Sequence, residues 1–498
     1  MTVAVANIVG TNLVDAEGVP CYEGPLSDSR IVVSREHAHR MVALVGRRVK
    51  SQFRIGIVSN HRVETYISAI ACVSAGVTFV PLNPKFPVER LKRIAELAEV
   101  DLILIDDTTK DVAQLTFPDI PMFNVSDLAT RECSEEDSEW LRSQLLADVS
   151  KDAIAYIMFT SGSTGDPKGV PVSYGNLSTY ISGITERLEI AEGLRYTQFF
   201  DLSFDLSIHD IFLSQFLSGT LVAPNTIDLM MPAAYVARES IDVWFSVPVL
   251  GAVLGRAAKK AGYHGLRHIL FCGEALPIET VQACRSHLSD FGKIWNLYGP
   301  TEATIAFTAA DVTESEQFDG TASIGTCFGR NEVALLIGDV VKEQLQLGDE
   351  GELLLGGPQV FTGYCTAAPS PFVDGDTLRY YKSGDLVRFD KDGFVYRGRT
   401  DSQIKWRGYR IELGEIENAV RSEFNLKTVA AVLSHADKEP TIQVWCLASE
   451  CVELMDTDRL ASKLPEYMIP ARINQIDVMP VNVNGKIDRK LLSELSVT

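Results

Sequence analysis

The chain has 498 residues, 46% of them apolar and 22% charged, with 46 basic against 66 acidic side chains and a net charge of −20. That length exceeds what one hydrophobic core fills, so two or more domains are expected. The acidic balance argues against nucleic acid or an anionic membrane as the main partner, since either needs a basic face. Nine cysteines with no C-x-x-C spacing argue against a zinc site or a disulfide framework. No apolar run approaches the ~20 residues that span a bilayer. The start, Met1 to Asn7, lacks the charged n-region of a secretory signal, so a cytoplasmic setting is expected.

Strand-like and helix-like segments alternate from the first third onward. Arg54–Val58 reads as a strand, 63–75 as a helix stopping at Gly76, 77–81 as a strand, 87–98 as a helix and 101–105 as a strand. This rhythm predicts a largely parallel sheet flanked by helices. The run Glu135-Glu136-Asp137 reads as a solvated loop. The strand–helix rhythm returns over 233–262 and 268–297. After about residue 350 the texture changes to short strands between turns, 351–357 and 393–398. From residue 401 a compact tail carries its own helix, 412–422, and strands at 429–433 and 442–446. The expected fold class is α/β. A large N-terminal domain of helix-flanked, mostly parallel sheets (1–399) would be joined to a small hinged α+β C-terminal domain (400–498).

One segment stands out chemically. Tyr156-Ile157-Met158-Phe159 reads as a buried strand and empties into Thr160-Ser161-Gly162-Ser163-Thr164-Gly165-Asp166-Pro167-Lys168-Gly169. Glycines let successive N–H groups converge on an anion. Thr160, Ser161, Ser163 and Thr164 add hydroxyl donors and Lys168 a positive charge. The result is a polyphosphate cradle, distinct from the G-x-x-x-x-G-K-[ST] loop.

Further motifs follow in fixed order: Phe204-Asp205-Leu206-Ser207, Phe271-Cys272-Gly273-Glu274-Ala275, Asn296-Leu297-Tyr298-Gly299-Pro300-Thr301-Glu302, Ser383-Gly384-Asp385-Leu386, Gly398-Arg399-Thr400-Asp401, Lys405 to Glu412, and Asn484-Gly485-Lys486-Ile487-Asp488-Arg489. Together with the phosphate loop they resemble the adenylate-forming superfamily: acyl-CoA synthetases, firefly luciferase and the adenylation domains of nonribosomal peptide synthetases. The likeness runs from about Arg54 to Leu492. It implies ATP and Mg²⁺. Thr160, Ser161, Gly162, Ser163, Thr164 and Lys168 would hold the β- and γ-phosphates. Gly273, Glu274, Ala275, Asn296, Tyr298 and Gly299 would surround adenine, with the Tyr298 ring stacked on it. Thr301 would contact the α-phosphate, and Glu302 would help hold Mg²⁺, which favours oxygen ligands. Asp385 would accept from both ribose hydroxyls, with Arg399 nearby. Asp401 would be the hinge. Lys486 would be the catalytic cation between substrate carboxylate and α-phosphate. The segment 405–412 would face the site after the small domain rotates.

The resemblance also bears on the substrate. Asp205 matches the carboxylate that faces the α-ammonium in amino-acid-activating members; a helix-capping aspartate is the alternative. The matching side-chain pocket is Leu206, His209, Ser246, Leu270, Cys272, Leu297, Ile305 and Ala306. It is mostly apolar and restricted, which favours alanine, proline or a similar small amino acid. Phe271-Cys272-Gly273-Glu274 with Phe204-Asp205-Leu206-Ser207 resembles the stand-alone D-alanine–carrier-protein ligases. His209 departs from their usual apolar residue, which leaves ligases of secondary metabolism and antibiotic biosynthesis open; a packed core histidine is the plainer reading of it. The expected activity is an AMP- and pyrophosphate-forming amino acid–carrier protein ligase, and the alternative is an acyl-CoA synthetase for a small organic acid. No Ser-bearing carrier domain is read after Lys486, so the thiol is expected on the phosphopantetheine arm of a separate carrier protein, with Arg407 and Arg410 as candidates to face it.

Overall fold

The computed structural model describes residues 2–4, 20–26, 29–49, 53–60, 62–128, 134–145, 147–162, 166–260, 262–315, 320–366, 370–434, 440–450, 456–481 and 487–495. Ser163, Thr164 and Lys486 lie outside them.

Two sheets of mainly parallel strands form the bulk. The first runs in the order Lys168–Ser173, Ile154–Thr160, Thr78–Pro81, Arg54–Val58, Leu102–Ile105, Met122–Asn124. Its strands are parallel except the first pair, which closes antiparallel with Lys168 opposite Thr160. Because its parallel strands carry helices on their faces, they read as near-continuous apolar runs such as Leu102–Ile105. The second sheet has nine strands, with Val243–Ser246, Leu266–Phe271 and Leu288–Tyr298 parallel at its heart. Between the sheets lies helix Tyr174–Leu188, whose Leu177, Tyr180, Ile181, Ile184 and Leu188 recur at helical spacing and are all buried. Its start is fixed by Ser173, which accepts from Asn176 N while the Asn176 side chain accepts from Ser173 N.

A third, antiparallel sheet contains Glu332–Ile337, Glu350–Gly356, Arg379–Asp390 and Gly393–Arg399. Beyond it the hairpin Gln403–Trp406/Tyr409–Glu412 leads into helix Leu413–Phe424 and a three-stranded sheet, Val429–Ser434, Thr441–Leu447 and Arg472–Ile476. Leu413, Ile416 and Val420 of that helix pack on Val429, Ile442 and Val444 in a cluster separate from the large central one. Each such buried side chain contributes about 1.5–3 kcal/mol.

The run Glu135-Glu136-Asp137 is not a loop. It opens helix Glu135–Leu145, where acidic groups suit the positive end of the dipole. Asp137 is buried, accepts from Ser134 N at 2.9 Å and pairs with Arg47 at 2.7 Å. Six described cysteines are free thiols. Among the described residues no helix is long and apolar enough to cross a membrane.

Candidate active site

A cavity opens at the carboxyl ends of the parallel strands, where ligands bind in open α/β sheets. Met158 to Ser161, Phe204 to Leu206, Cys272, Gly273, Gly299 to Thr301, Asp385, Arg399, Lys405 and Gly408 to Arg410 line it. Motifs spread over 250 positions of sequence thus converge.

Asp205 precedes helix Leu206–Phe216 in the capping position, yet its side chain makes no cap hydrogen bond, so it is not there as a cap. It lines the cavity, and its Oδ2 has no partner among the described residues. Burial pushes its carboxyl up to about 7, against a lowering hydrogen bond from Thr301. Beneath it, His209 shares a 2.6 Å hydrogen bond with the Tyr180 hydroxyl. Burial lowers this imidazole to about 3, so it is neutral. Burial pushes the Cys272 thiol up to about 12, which makes it an inert wall rather than a nucleophile.

Of the sequence-predicted side-chain pocket, Leu206 and Cys272 face this cavity. His209, Leu270, Ile305 and Ala306 are fully buried in the packed interior behind it. Ser246 faces a second cavity and accepts from Trp244 Nε1 at 2.7 Å. Leu297, Glu274 and Ala275 line a small adjoining cavity with Tyr298 and Lys405.

The nucleotide motifs are tied together. Tyr298 donates to Asp385 Oδ2 at 2.6 Å, and Arg399 Nη1 donates to Asp385 Oδ1 at 2.5 Å. Arg399 also grips Asp401 with two bonds of 2.7 and 2.9 Å. Lys405 Nζ stands 4.9 Å from the Tyr298 ring centroid, on a face of that ring. Asn296 donates to Ser323 O at 2.8 Å, so its amide anchors the strand. At Gly162 a Cβ would collide with the Asp166 carbonyl oxygen, so the phosphate loop needs glycine there. Ser161 Oγ donates to Arg410 O at 2.9 Å and accepts from Glu412 N at 3.1 Å. Lys168 Nζ lies 4.0 Å from Glu412.

The 408–410 segment therefore sits on the site. Gly408 N donates to Glu274 Oε1 at 2.8 Å, and Tyr409 packs edge-on against Phe204 with centroids 4.7 Å apart. Arg410 does not face outward toward a partner, which corrects the sequence-based expectation. Its guanidinium turns in and donates to Glu302 Oε2 at 2.5 Å, while Tyr364 donates to Oε1 at 2.7 Å. Burial alone would raise the Glu302 carboxyl; Arg410 and Tyr364 outweigh it and hold it below the usual range. Arg90 and Glu415 form a second buried ion pair.

Glu302 is a single carboxylate, and no group of three or more His, Cys, Asp or Glu gathers among the described residues. That donor set suits Mg²⁺, which is held by one or two carboxylates plus substrate phosphates and waters. Each Glu302 oxygen accepts one hydrogen bond here, from Arg410 and from Tyr364.

Sequence reasoning missed Gln359. It is fully buried, and its amide donates to Ala303 O at 2.9 Å, Thr304 O at 3.1 Å and Ala306 O at 2.5 Å. It clamps a strained turn: Thr304 and Ile305, both β-branched, hold φ of 58° and 69°. The available signal was an amide isolated between Pro358 and Val360 in an apolar stretch. The same turn crowds Gly299. A Cβ there would stand 2.8 Å from Ala306 Cα and 2.9 Å from Ile305 O, both backbone atoms. Gly299→Ala is expected to destabilise the protein by about 1–3 kcal/mol, as overpacking does. A melting curve unchanged from wild type would show that the turn yields.

This geometry belongs to a known class. The AMP-binding enzyme family matches residues 35–365, and the chain belongs to that family. It is 32% identical over 443 residues to the D-alanine–D-alanyl carrier protein ligase of Lacticaseibacillus rhamnosus, covering 84% of each chain. It is 33% identical over 456 residues to surfactin synthase subunit 2 of Bacillus subtilis, covering 88% of this chain and 12% of that one. Among solved structures, the Vibrio cholerae adenylation domain AlmE in complex with glycyl-adenosine-5′-phosphate superposes with a TM-score of 0.85 at 26% identity, covering 99% of this chain and 96% of that one.

Proposed function

We propose that this enzyme joins a small amino acid to a carrier protein in two steps at one site. In the first, the amino acid's carboxylate oxygen attacks the α-phosphorus of ATP. The P–O bond to the β-phosphate breaks, giving aminoacyl-AMP and pyrophosphate. In the second, a phosphopantetheine thiolate on a separate carrier attacks the acyl carbon. The C–O bond of the anhydride breaks, AMP leaves and a thioester forms.

The observation that carries this reading is the buried Asp205 carboxylate with one oxygen unpartnered on the cavity wall. A buried charge needs a partner, and an α-ammonium supplies it; a plain organic acid would leave it unanswered. Met158, Phe204, Leu206 and Cys272 close around this point, which favours a small side chain. The carrier-ligase relatives and the glycyl-adenylate complex of AlmE support the same reading.

The chain's own residues divide the work. Thr160, Ser161, Gly162, Ser163, Thr164 and Lys168 receive the departing phosphates. Tyr298 and Asp385 orient the nucleoside, and Thr301 stands beside Asp205 near the reacting carboxylate. Glu302 would hold Mg²⁺, whose charge offsets that of the phosphates. Lys486, carried by residues 400–498 as a unit moving against 1–399 about Asp401, would neutralise charge at the α-phosphorus in the first step. The arrangement described here, with 408–410 on the site, suits the second step. A cytoplasmic location follows from the need for ATP and a holo carrier.

Pyrophosphate exchange across all amino acids in both hands tests the reading; no exchange with any of them overturns it. A pH series gives a second check. Below about 7 the Asp205 carboxyl of the free enzyme is protonated and cannot pair with an ammonium. The kcat/KM for the amino acid is therefore expected to fall about tenfold per unit on the acid side and level off above. A flat profile from about pH 5.5 to 8.5 would remove Asp205 from that role.

A further inference from the structure

Glu302 and Lys168 take their opposite charges from one segment of the small domain. Arg410 pairs with Glu302, and Glu412 stands 4.0 Å from Lys168 Nζ. From the large domain, Tyr364 reaches both. Its hydroxyl donates to Glu302 Oε1 at 2.7 Å, and Lys168 Nζ lies 5.8 Å from its ring centroid. The two groups belong to different sheets: Lys168 begins the strand Lys168–Ser173 of the first, and Glu302 follows the strand Leu288–Tyr298 of the second. Tyr364 therefore spans the seam between them.

The backbone around Tyr364 is pinned to the same two pieces. Phe361 N donates to Glu302 O at 2.8 Å, and Cys365 N donates to Gly169 O, next to Lys168, at 3.0 Å. Between them Gly363 holds a φ of 143°, which residues with a side chain rarely adopt. Phe361 packs edge-on against the Tyr364 ring with centroids 5.0 Å apart and sets its tilt. The ring is placed by its own segment, not by either charge.

We propose that Tyr364 is a positioning residue for the first step, holding the metal carboxylate Glu302 and the phosphate lysine Lys168 in register whenever the 410–412 segment is away. This rests on the adenylating reading above. A hydrogen bond to one oxygen limits rotation of the carboxyl group about its Cγ–Cδ bond. A carboxylate held in one orientation suits Mg²⁺, which demands near-ideal octahedral geometry, more than Ca²⁺, whose coordination is flexible. The ring gives Lys168 a contact that carries no negative charge, so the ammonium keeps its charge for phosphate. The hydroxyl and the ring do separate jobs, and two substitutions separate them.

Tyr364→Phe keeps the ring and drops the hydroxyl; Tyr364→Leu drops both. The probe is Mn²⁺ on enzyme in excess over ATP, without amino acid, followed by electron spin resonance while Mg²⁺ or Ca²⁺ displaces it. The ratio of displacing concentrations, Ca²⁺ over Mg²⁺, should fall about tenfold in both variants, as for loss of a hydrogen bond to a charged group. In exchange at saturating Mg²⁺, the KM for pyrophosphate should rise about fivefold in Tyr364→Leu and about twofold at most in Tyr364→Phe, since only the first loses the ring beside Lys168. The KM for the amino acid should stay within about twofold of wild type in both. A wild-type ion ratio in Tyr364→Phe overturns the proposal. So does an equal loss in the ion ratio, the pyrophosphate KM and the amino-acid KM, which is what a merely structural residue would give. If Tyr364→Leu does not fold, the ion ratio of Tyr364→Phe decides alone. Failure of exchange with every amino acid in wild type would instead sink the adenylating reading, and the ion ratio needs no amino acid.

Discussion

Asp205→Ala is expected to lower amino-acid-dependent pyrophosphate exchange by about 10²–10⁴-fold, because leaving one charge of a buried pair unanswered costs about 3–5 kcal/mol. In the variant the substrate ammonium would enter a site walled by Met158, Phe204, Leu206 and Cys272 with no counter-charge. The loss should fall mainly on KM for the amino acid, since the ammonium is bound alike before and during phosphoryl attack. Binding of ATP alone, measured by calorimetry, should stay within about twofold of wild type. Asp205→Asn separates charge from shape: it keeps an acceptor but not the charge, and should fall nearly as far. If instead the alanine variant activated amino acids at the wild-type rate, the ammonium would have to be held elsewhere, and a small organic acid would return as the substrate.

The second large effect is a division between half-reactions in Arg410→Ala. Arg410 reaches Glu302, the carboxylate proposed for the metal, and its positive charge would repel a cation bound there. On the proposed mechanism the first half-reaction runs with Arg410 elsewhere, so exchange should change by about twofold at most. On the same reading the second runs with the 408–410 segment seated, and removing its buried ion pair should slow thioester formation by about 10²-fold or more. Excess Mg²⁺ should slow transfer in wild type by competing for Glu302 and have no such effect in Arg410→Ala. Mn²⁺ binding followed by electron spin resonance offers a readout apart from turnover: the variant should bind the ion more tightly. Equal loss in both half-reactions would mean that Arg410 serves the fold rather than the switch between steps.

Much of this site was legible because its pieces are local. The phosphate loop is a contiguous run of glycine and hydroxyl residues after an apolar strand, and Asp205 sits in a short motif. What stayed hidden depends on partners distant in sequence. Arg410 reads as a surface cation until Glu302, more than a hundred positions earlier, comes to meet it. Asp137 reads as solvated until Arg47 covers it. Gln359 and Tyr364 carry no motif; their roles exist only once the chain has folded the 301–306 turn against them.

The left-handed pair at Thr304 and Ile305 limits how the enzyme's selectivity could be redesigned. Ile305 lies behind the substrate cavity, so trimming it is an obvious way to admit a bulkier side chain. Glycine there would give the volume and would also release the backbone, letting the turn wander and misaim the neighbouring Thr301 and Glu302. Wider scope and slower chemistry would arrive together. A protein engineer would do better to begin at Met158, which lines the cavity from a regular strand and can be shortened without loosening the 301–306 turn.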